Sequence, residues 1–266
     1  MPRPLALVTG ASAGIGQSFA ERLAHDGFDL IVVARRRDRL EALAKRLGSG
    51  HKTDVSVLVA DLSTAAGIAT VAARAAAEPL ELLINNAGFG GYGPFLEIDP
   101  QTAEDLIAVH IRAVVQVTRA ALPSMVKRAH GGIVNVSSLL ALSGSVPPGS
   151  GMPLRAVYGG AKAFLLAFSQ LVAAELAETK VHVQVCLPGI VKTEFHDVQW
   201  LDATRIPARM NPDDVVRASL KALAKGEVLC VPPLDDVAAL QRLDEAQRAV
   251  LAVARTPQLA PRYRSP

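Results

Sequence analysis

The sequence predicts an α/β fold: one doubly wound parallel sheet of about seven strands with helices on both faces. Short apolar runs alternate with helical segments along the 266 residues. The runs are apolar at nearly every position, as in strands that are buried on both faces. Repeated strand–helix units of this kind form parallel sheets with right-handed crossovers. No internal repeat or linker interrupts the pattern, which predicts a single domain over 1–266, with a C-terminal extension at 232–266.

The predicted elements follow one another in strict alternation. The strands are expected at 5–8, 29–34, 55–60, 80–84, 132–136, 181–187 and 228–231. The first helix is expected to follow Gly10 and to end near Gly27, and the others are expected at 38–47, 64–77, 101–128, 156–178, 212–225 and 235–255. Gly27 and Gly48 are placed just after helix ends, where glycine readily adopts the left-handed conformation. The tail over 255–266 contains three prolines and is expected to be loose or to lie over the surface.

Composition indicates a folded protein with a large core, because 50% of the residues are hydrophobic and 20% are charged. The net charge is +3, and the only dense basic cluster is Arg35, Arg36, Arg37 and Arg39. A cluster this small indicates a local anion site or a solvated helix start, and no nucleic-acid-binding surface.

The cysteines, the N-terminal residues and the length of the apolar runs indicate where the protein is located and which sites it lacks. Cys186 and Cys230 lie in apolar strand-like runs, which predicts buried reduced thiols, no disulfide and no metal site. The N-terminal residues lead straight into a strand, without the pattern of a signal peptide. No uninterrupted apolar run reaches the ~18 residues of a membrane span. A cytoplasmic protein that binds neither nucleic acid nor membrane is expected.

A glycine-rich turn follows the first strand and reads Thr9-Gly10-Ala11-Ser12-Ala13-Gly14-Ile15-Gly16. Glycine lets the chain turn without a Cβ, and the following helix presents free N–H groups that suit a pyrophosphate. The spacing G-x-x-x-G-x-G differs from the usual dinucleotide fingerprint, and a tight turn without a ligand is the alternative. The predicted cofactor contacts in this turn are Gly10, Ser12, Ala13, Gly14, Ile15 and Gly16.

The end of the second strand predicts which nicotinamide cofactor binds. An acidic residue there would bind the ribose 2′-hydroxyl of NAD. The strand instead ends in Arg35 and Arg36, whose guanidinium groups suit a 2′-phosphate. NADP(H) is therefore expected in preference to NAD(H), and a solvated basic helix start is the alternative.

Three further strand ends carry polar groups at the edge where open α/β sheets bind ligands. Asp61 could bind the adenine edge or simply cap the next helix. The amides after the fourth strand face the cofactor, and the turn after the sixth strand suits a carboxamide or is a plain β-turn. The predicted cofactor contacts at these ends are Asp61, Leu62, Asn86, Ala87, Gly88, Pro188, Gly189, Ile190 and Thr193.

Tyr158 and Lys162 are four residues apart on a predicted helix and therefore share one face. An ammonium beside a phenol favours the phenolate, so the pKa of Tyr158 is expected to fall from about 10. The bare spacing is weak, because it occurs by chance on many surface helices. Ser138 ends the fifth strand beside this helix, where its hydroxyl either bonds a substrate oxygen or caps the strand.

As an ordered set, these motifs resemble the short-chain dehydrogenase/reductase family, with a Rossmann-type fold, over about residues 5–195. The motifs are Thr9-Gly10-x-x-x-Gly14-x-Gly16, Asn85-Asn86-Ala87-Gly88, Ser138, Tyr158-x-x-x-Lys162 and Pro188-Gly189. The resemblance implies that Tyr158 is the general acid in carbonyl reduction, that Lys162 lowers its pKa and holds the nicotinamide ribose, and that Ser138 polarises the carbonyl. It also implies that Ile190 and Thr193 hold the carboxamide.

The chain departs from the family pattern at two places. His110 stands where the family usually has an asparagine that supports a water next to the lysine, so it either joins a proton relay or is bypassed. A lone histidine on a helix is otherwise more often structural. Ser138 and Tyr158 are also further apart than usual, and the extra Gly- and Pro-rich loop at 143–153 is a lid, an oligomer contact or a neutral insertion.

The segment after Thr193 is the family's variable substrate region, which makes 194–210 the predicted substrate flap. Its apolar side chains suggest a hydrophobic ketone or alcohol, unless they pack on the core or on a second subunit. The predicted substrate contacts are Ser138, Leu140, Phe195 and Trp200. The helix at 235–255 is expected to act as a lid or dimer element.

The sequence thus predicts an NADP(H)-dependent carbonyl reductase or alcohol dehydrogenase with Tyr158 as general acid/base. A non-redox epimerase or dehydratase on the same scaffold is one alternative, and a non-catalytic NADP(H)-sensing protein is another. The resemblance implies a homodimer or homotetramer, in which the helices that carry Tyr158 and His110 pair with a second copy.

Overall fold

A computed structural model describes residues 3–147, 153–195 and 209–264. The chain divides into two compact units, Met1–Pro232 and Pro233–Pro266. The boundary falls next to the start of the C-terminal extension predicted at residue 232. That both units belong to one domain stays a prediction.

The first unit contains one parallel sheet of seven strands in the order β3-β2-β1-β4-β5-β6-β7. The strands are β1 Leu5–Thr9, β2 Asp29–Ala34, β3 Val55–Val59, β4 Leu80–Asn85, β5 Gly131–Val136, β6 Val181–Cys186 and β7 Leu229–Cys230. The order reverses direction between β1 and β4, which opens a crevice at the carboxyl ends of these strands. The predicted seven-stranded, doubly wound sheet is confirmed.

The helices lie between the strands, as the alternation predicts. They are α1 Gly14–His25, α2 Arg37–His51, α3 Ala65–Ala77, α4 Pro100–Ile107, α5 Ala113–Arg128, α6 Ala156–Glu175, α7 Pro212–Ala224 and, in the second unit, α8 Val237–Leu251. Two apolar clusters cover the faces of the sheet. Phe19, Leu23 and Val215 belong to one cluster, and Val117 and Met125 belong to the other.

Two helix ends test the glycine predictions. Gly27 has φ 93°, the Gly27 N–H bonds the Ala24 carbonyl at 3.1 Å, and the Phe28 N–H bonds the Leu23 carbonyl at 2.9 Å. These two hydrogen bonds, together with the left-handed Gly27, form the glycine cap that was expected at the end of α1. The prediction at Gly48 is wrong, because α2 continues to His51 and ends at Lys52, whose φ of 53° supplies the left-handed turn.

The helix predicted at 101–128 contains an interruption that the sequence pattern does not indicate. Its α4 and α5 segments are joined by a π-helical turn, Ala108–Arg112. Such a turn inserts one residue and redirects the side chains around it, and it is common at functional sites. His110 lies in this turn.

Three further observations concern sequence expectations. Cys186 and Cys230 are free, buried register partners on β6 and β7. By length and composition alone, two helices could cross a membrane, Pro100–Arg128 and Ala156–Glu175. This is weak evidence for a membrane span, because core helices of soluble proteins pass the same test. In the second unit, α8 confirms the predicted terminal helix and has no buried residue.

Candidate active site

The glycine-rich turn forms a cradle at the start of α1. Gly10 and Gly14 have φ of 69° and 56°, a region that L side chains rarely adopt. A Cβ at Gly16 would lie 2.3 Å from the Gly10 carbonyl oxygen. The N-cap residue Ala13 makes no side-chain cap, so α1 presents its first N–H groups to a ligand. These features fit a dinucleotide pyrophosphate.

Asn86 braces this cradle. Its amide donates to the Thr9 carbonyl at 3.0 Å, and the backbone N–H groups of Asn86 and Ala87 donate to Thr9 Oγ1 at 3.0 and 3.1 Å. The predicted cofactor residue thus has its side chain engaged with the turn. It joins the ends of β1 and β4, where the sheet order reverses.

An arginine cluster lies beside the cradle and consists of Ser12, Arg36, Arg39 and Glu194. Arg36 Nε and Nη2 donate to Ser12 Oγ at 3.1 and 2.9 Å, and Arg36 Nη1 donates to Glu194 at 2.9 Å. Arg39 donates to the same carboxylate at 2.6 and 2.8 Å. Hydrogen bonds from Arg36 and then Arg39 lower the pKa of Glu194 below its usual value of 4.5.

The two predicted phosphate-binding arginines differ. Arg36 belongs to the arginine cluster and bonds Ser12 of the glycine-rich turn. Arg35 is exposed, and its side chain makes no hydrogen bond or ion pair with another residue in the described part of the chain. Sequence reasoning named Arg39 only as a member of the basic cluster and did not identify Glu194, because the two come together only in the folded chain.

Asp61 closes a turn after β3, with its carboxylate accepting the Ser63 N–H at 2.9 Å. The alternative that it caps the next helix is wrong, because Thr64 is the N-cap of α3 and accepts the Gly67 N–H at 3.0 Å. Leu62 is buried in the core.

Tyr158 and Lys162 lie on the inner face of α6, and only 5% and 4% of their surfaces are exposed. Lys162 Nζ donates to the Val136 carbonyl at 3.0 Å and lies 5.5 Å from the centroid of the Tyr158 ring. The Ser137 hydroxyl donates to the Lys162 carbonyl at 2.8 Å. The end of β5 therefore holds both the backbone and the side chain of Lys162.

Of the two alternatives for Ser138, the structure shows a cap, and a bond to a substrate oxygen stays a prediction. Its hydroxyl oxygen accepts the Leu140 N–H at 3.2 Å and so caps the short 3₁₀ helix Leu139–Leu142. An interaction with the same side chain lowers the pKa of Tyr158, which indicates that the two hydroxyl groups are close. The predicted catalytic residues are Ser138, Tyr158, Lys162 and His110, and this group is called the catalytic cluster below.

The expected fall in the pKa of Tyr158 is wrong for the protein chain by itself. Burial first and Tyr92 second raise the pKa of Tyr158 well above 10, while the interaction with Ser138 lowers it. Burial lowers the pKa of Lys162 to about 7. Desolvation disfavours the charged form of each group and is the largest cause of both shifts.

His110 is 1% exposed and packs edge-on against Tyr158, with ring centroids 5.5 Å apart. Its Nε2 lies 2.9 Å from the Phe89 carbonyl oxygen, which favours a proton on Nε2 over the longer 3.4 Å contact with the Phe89 N–H. Nδ1 is buried without a partner among the described residues. A Cβ at Gly88 would lie 2.5 Å from His110 Cε1, so this glycine makes room for the ring.

The pKa of His110 is lowered well below 6.5, first by burial and then by the charge of Lys162. The imidazole is therefore neutral at neutral pH. Its free Nδ1 lone pair can accept a hydrogen bond, as an asparagine oxygen can.

Tyr92 completes the surroundings of Tyr158 and was not predicted. The two rings pack edge-on with their centroids 5.3 Å apart, and an interaction with Tyr158 lowers the pKa of Tyr92 in part. Burial raises the pKa of Tyr92 to about 12. The Phe195 ring packs near both rings, with its centroid 5.9 Å from that of Tyr158 and 6.5 Å from that of Tyr92. The only feature of the sequence that could have identified Tyr92 is its position among glycines, shortly after Asn85-Asn86-Ala87-Gly88.

The turn after β6 lies over the cradle. The Leu139 N–H donates to the Pro188 carbonyl at 3.0 Å, and Val191 pairs with Met210. A Cβ at Gly14 would lie 2.8 Å from Thr193 Cγ2. Gly189 is half-buried and Ile190 is exposed. Trp200 and most of the predicted flap lie outside the described residues.

Comparisons with known proteins agree with this geometry. Residues 4–203 match the family model described as short chain dehydrogenase. The chain belongs to the short-chain dehydrogenase family. The predicted family, Rossmann-type fold and dehydrogenase or reductase class are confirmed.

The similar proteins include structures of nearly the same length. A "Short-chain dehydrogenase from Sphingobium yanoikuyae in complex with NADPH" is 36% identical, has a TM-score of 0.91 and covers 98% of this chain and 100% of its own. The "bulky-bulky ketone specific alcohol dehydrogenase" from Comamonas testosteroni is 30% identical, with a TM-score of 0.88 and coverage of 98% and 99%. A "Probable NADP-dependent dehydrogenase" of Haemophilus influenzae is 36% identical over 75% of this chain and 77% of the relative.

In this short-chain dehydrogenase the long loop before Tyr158 is anchored at both ends. Arg155 donates to the Ser143 hydroxyl and carbonyl at 2.7 and 2.9 Å and to the Pro153 carbonyl at 2.7 Å. The Gly93 N–H also donates to the Leu154 carbonyl at 2.9 Å. Residues 148–152 lie outside the described part, and the choice between lid, oligomer contact and neutral insertion stays open.

Proposed function

We propose that this short-chain dehydrogenase uses NADP(H) to interconvert a hydrophobic ketone or aldehyde and its alcohol, with Tyr158 as general acid/base. The observation that carries the proposal is the catalytic cluster itself. Ser138, Tyr158 and Lys162 meet at the carboxyl end of β5, on the sheet edge that also carries the glycine cradle. A nicotinamide and a carbonyl substrate bound at this edge would lie against the same buried hydroxyl groups.

NADP(H) is supported as the cofactor by the chain and by its relatives. The Sphingobium protein is named as a complex with NADPH, and the Haemophilus protein is named as NADP-dependent. In this chain, Arg36 and Ser12 form a positively charged donor site beside the cradle. A guanidinium binds phosphate oxygens through two parallel N–H groups, which suits the ribose 2′-phosphate.

In the proposed reduction, the cradle and Arg36 would hold NADPH, which would supply the hydride for the carbonyl carbon. Ser138 holds the carbonyl oxygen through its hydroxyl, and the Tyr158 hydroxyl donates the proton that completes the alcohol. The Lys162 ammonium stabilises the phenolate that Tyr158 becomes at that moment, and its backbone anchor at Val136 keeps it in place. Oxidation of the alcohol reverses these transfers, with Tyr158 as base.

His110 contributes as a neutral hydrogen-bonding group. Its pKa lies well below 6.5, so it does not exchange a proton in the neutral range. Its partner-free Nδ1 can hold a hydrogen-bond donor, such as a water next to Lys162. The sequence leaves open whether His110 joins a proton relay or is bypassed; a part in the relay by titration is disfavoured, and a part as a neutral hydrogen-bonding group is favoured.

A hydrophobic substrate is supported by the rings around Tyr158. Tyr92 and Phe195 pack against the Tyr158 ring, with ring centroids 5.3 and 5.9 Å from its own. The Comamonas relative is named for bulky ketones, and a relative from Bos taurus that is 30% identical, over 82% of this chain and 68% of its own length, is a "Very-long-chain 3-oxoacyl-CoA reductase". These names agree with a site that accepts large apolar groups on the carbonyl.

A homo-oligomer and a cytoplasmic location also remain proposals. Phe164 stacks on Phe168 on the outer side of α6, and Leu171 of the same helix is 64% exposed. An apolar strip on the surface of a helix favours pairing with a second copy.

The test is NADPH oxidation over a panel of ketones with bulky substituents, using the wild type and Tyr158→Phe. Loss of the proton donor should lower kcat/KM by about 10²- to 10⁴-fold. The dissociation constant of NADPH should stay within about twofold, since the phenyl ring keeps the packing. Tyr263→Phe is the matched control, because Tyr263 is exposed in the second unit. Activity of Tyr158→Phe near that of the wild type would refute the role of Tyr158.

A further inference from the structure

Three consecutive residues, Thr193–Phe195, lie across the proposed binding sites and are called the strap. Thr193 packs on Gly14 of the cradle. Glu194 pairs with the arginine cluster, and Phe195 contacts Tyr158. A cleft of about 520 Å³ opens between the strap and the start of α1, with Ala13 and Gly14 among its lining residues. The strap thus reaches both the cradle and the catalytic cluster.

Glu194 uses the donors that a 2′-phosphate would need. One carboxylate accepts from Arg36 Nη1 at 2.9 Å and from Arg39 Nη1 at 2.6 and 2.8 Å. The same Arg36 bonds Ser12 of the glycine-rich turn, which places this carboxylate next to the predicted cofactor path. An anionic group on the chain therefore stands where an anionic group of the cofactor is expected.

The contact is arranged so that it can be exchanged. The side chains of Arg36, Arg39 and Glu194 are 42%, 43% and 47% exposed. Ion pairs in such contact with solvent contribute little to stability and are screened by salt. A phosphate with up to two negative charges and three acceptor oxygens is a stronger partner for two guanidinium groups than one carboxylate.

We propose that Glu194 is an internal competitor of the 2′-phosphate of NADP(H) and thereby sets the cofactor preference of this enzyme. NADP(H) binding replaces the Glu194 carboxylate on Arg36 and Arg39, and the cost of this exchange weakens NADP(H) binding. NAD(H) has no group to take that place, so it binds without the exchange. The inference rests on the proposed use of NADP(H).

The test compares Glu194→Gln with the wild type by titration calorimetry at low ionic strength. The probes are NADPH and NADH, together with 2′,5′-ADP and 5′-AMP, which isolate the effect of the 2′-phosphate. Glu194→Gln should bind NADPH and 2′,5′-ADP about three- to tenfold more tightly. Binding of NADH and 5′-AMP should change by less than about twofold. The gain should shrink at high salt, where both states of the cluster are screened.

Glu41→Gln is the matched control. It removes the same charge from the exposed Arg37–Glu41 pair on α2, the helix that also carries Arg39. This variant should bind NADPH as the wild type does. An equal gain in both variants would show a general charge effect and overturn the inference.

The failure of the inference and the failure of the proposed function give different results. If the wild type prefers NADPH to NADH and Glu194→Gln binds NADPH equally or more weakly, the inference is wrong and the cofactor assignment stands. If the wild type binds NADPH no better than NADH, the cofactor assignment fails and the inference fails with it.

Discussion

The arginine cluster and the catalytic cluster contrast in their access to water. In the arginine cluster, the charged side chains of Arg36 and Glu194 are 42% and 47% exposed and form ion pairs with each other. In the catalytic cluster, Tyr158 and Lys162 are buried. Burial raises the pKa of Tyr158 and lowers that of Lys162, so the neutral form of each group is favoured. Desolvation explains the difference, because water supports the charges at one end of the site and is excluded from the other.

This contrast indicates what each end can do. Exposed charges can exchange partners at small cost, which suits the selection of a cofactor. Buried titratable groups respond strongly to a single added charge, which suits a proton transfer that depends on bound cofactor and substrate. The two ends should therefore respond differently to substitution, with large effects on turnover at one and graded effects on affinity at the other.

Lys162→Met should have the largest of the remaining effects. Removing the ammonium leaves the Tyr158 phenolate unsupported in a buried site, and kcat/KM should fall by about 10²- to 10³-fold. Steady-state kinetics with NADPH and a bulky ketone measures it. Lys180→Met, at an exposed position before β6, is the control and should behave as the wild type. A loss of less than about fivefold in Lys162→Met would contradict the electrostatic role.

Arg36→Ala and Arg35→Ala should have different effects on cofactor binding, although the two arginines are neighbours in the sequence. Arg36→Ala loses a charge-assisted bond to phosphate, worth about 1.5–3 kcal/mol, so the KM for NADPH should rise about 10- to 100-fold. The KM for NADH should stay nearly the same. Arg35→Ala should change both values by less than about threefold, since Arg35 lies outside the arginine cluster. Equal effects of the two variants would show that the cluster geometry does not select the cofactor.

His110→Asn should have the smallest effect. The pKa of His110 already lies well below 6.5, so the group stays neutral as the pH rises from 6 to 8. The pH profile of kcat/KM over that range should therefore match the wild type. His110→Leu, which lacks the acceptor at Nδ1, should lose activity by about tenfold. An ionisation near neutral pH that disappears in His110→Asn would show that the histidine does titrate.

Much of the fold and part of the site could be predicted from the sequence, because their causes are local. Continuous apolar runs predicted each strand, and Gly27 predicted the end of α1 from its conformational freedom. Tyr158 and Lys162 were predicted to share a helix face from their spacing alone. The π-helical turn at His110 was missed, since an inserted residue leaves no clear mark in an apolar helix.

The sequence by itself determined the strand–helix alternation, the glycine cradle and the identity of the polar groups at the strand ends. Only the tertiary structure decided their physical state. Burial raised the pKa of Tyr158, against the local effect expected from Lys162, because desolvation depends on everything packed around a group. Tyr92 packs against Tyr158, and Glu194 pairs with Arg36 and Arg39, although these residues are far apart in the sequence. Contacts of this kind depend on the path of the folded backbone, which no local pattern encodes.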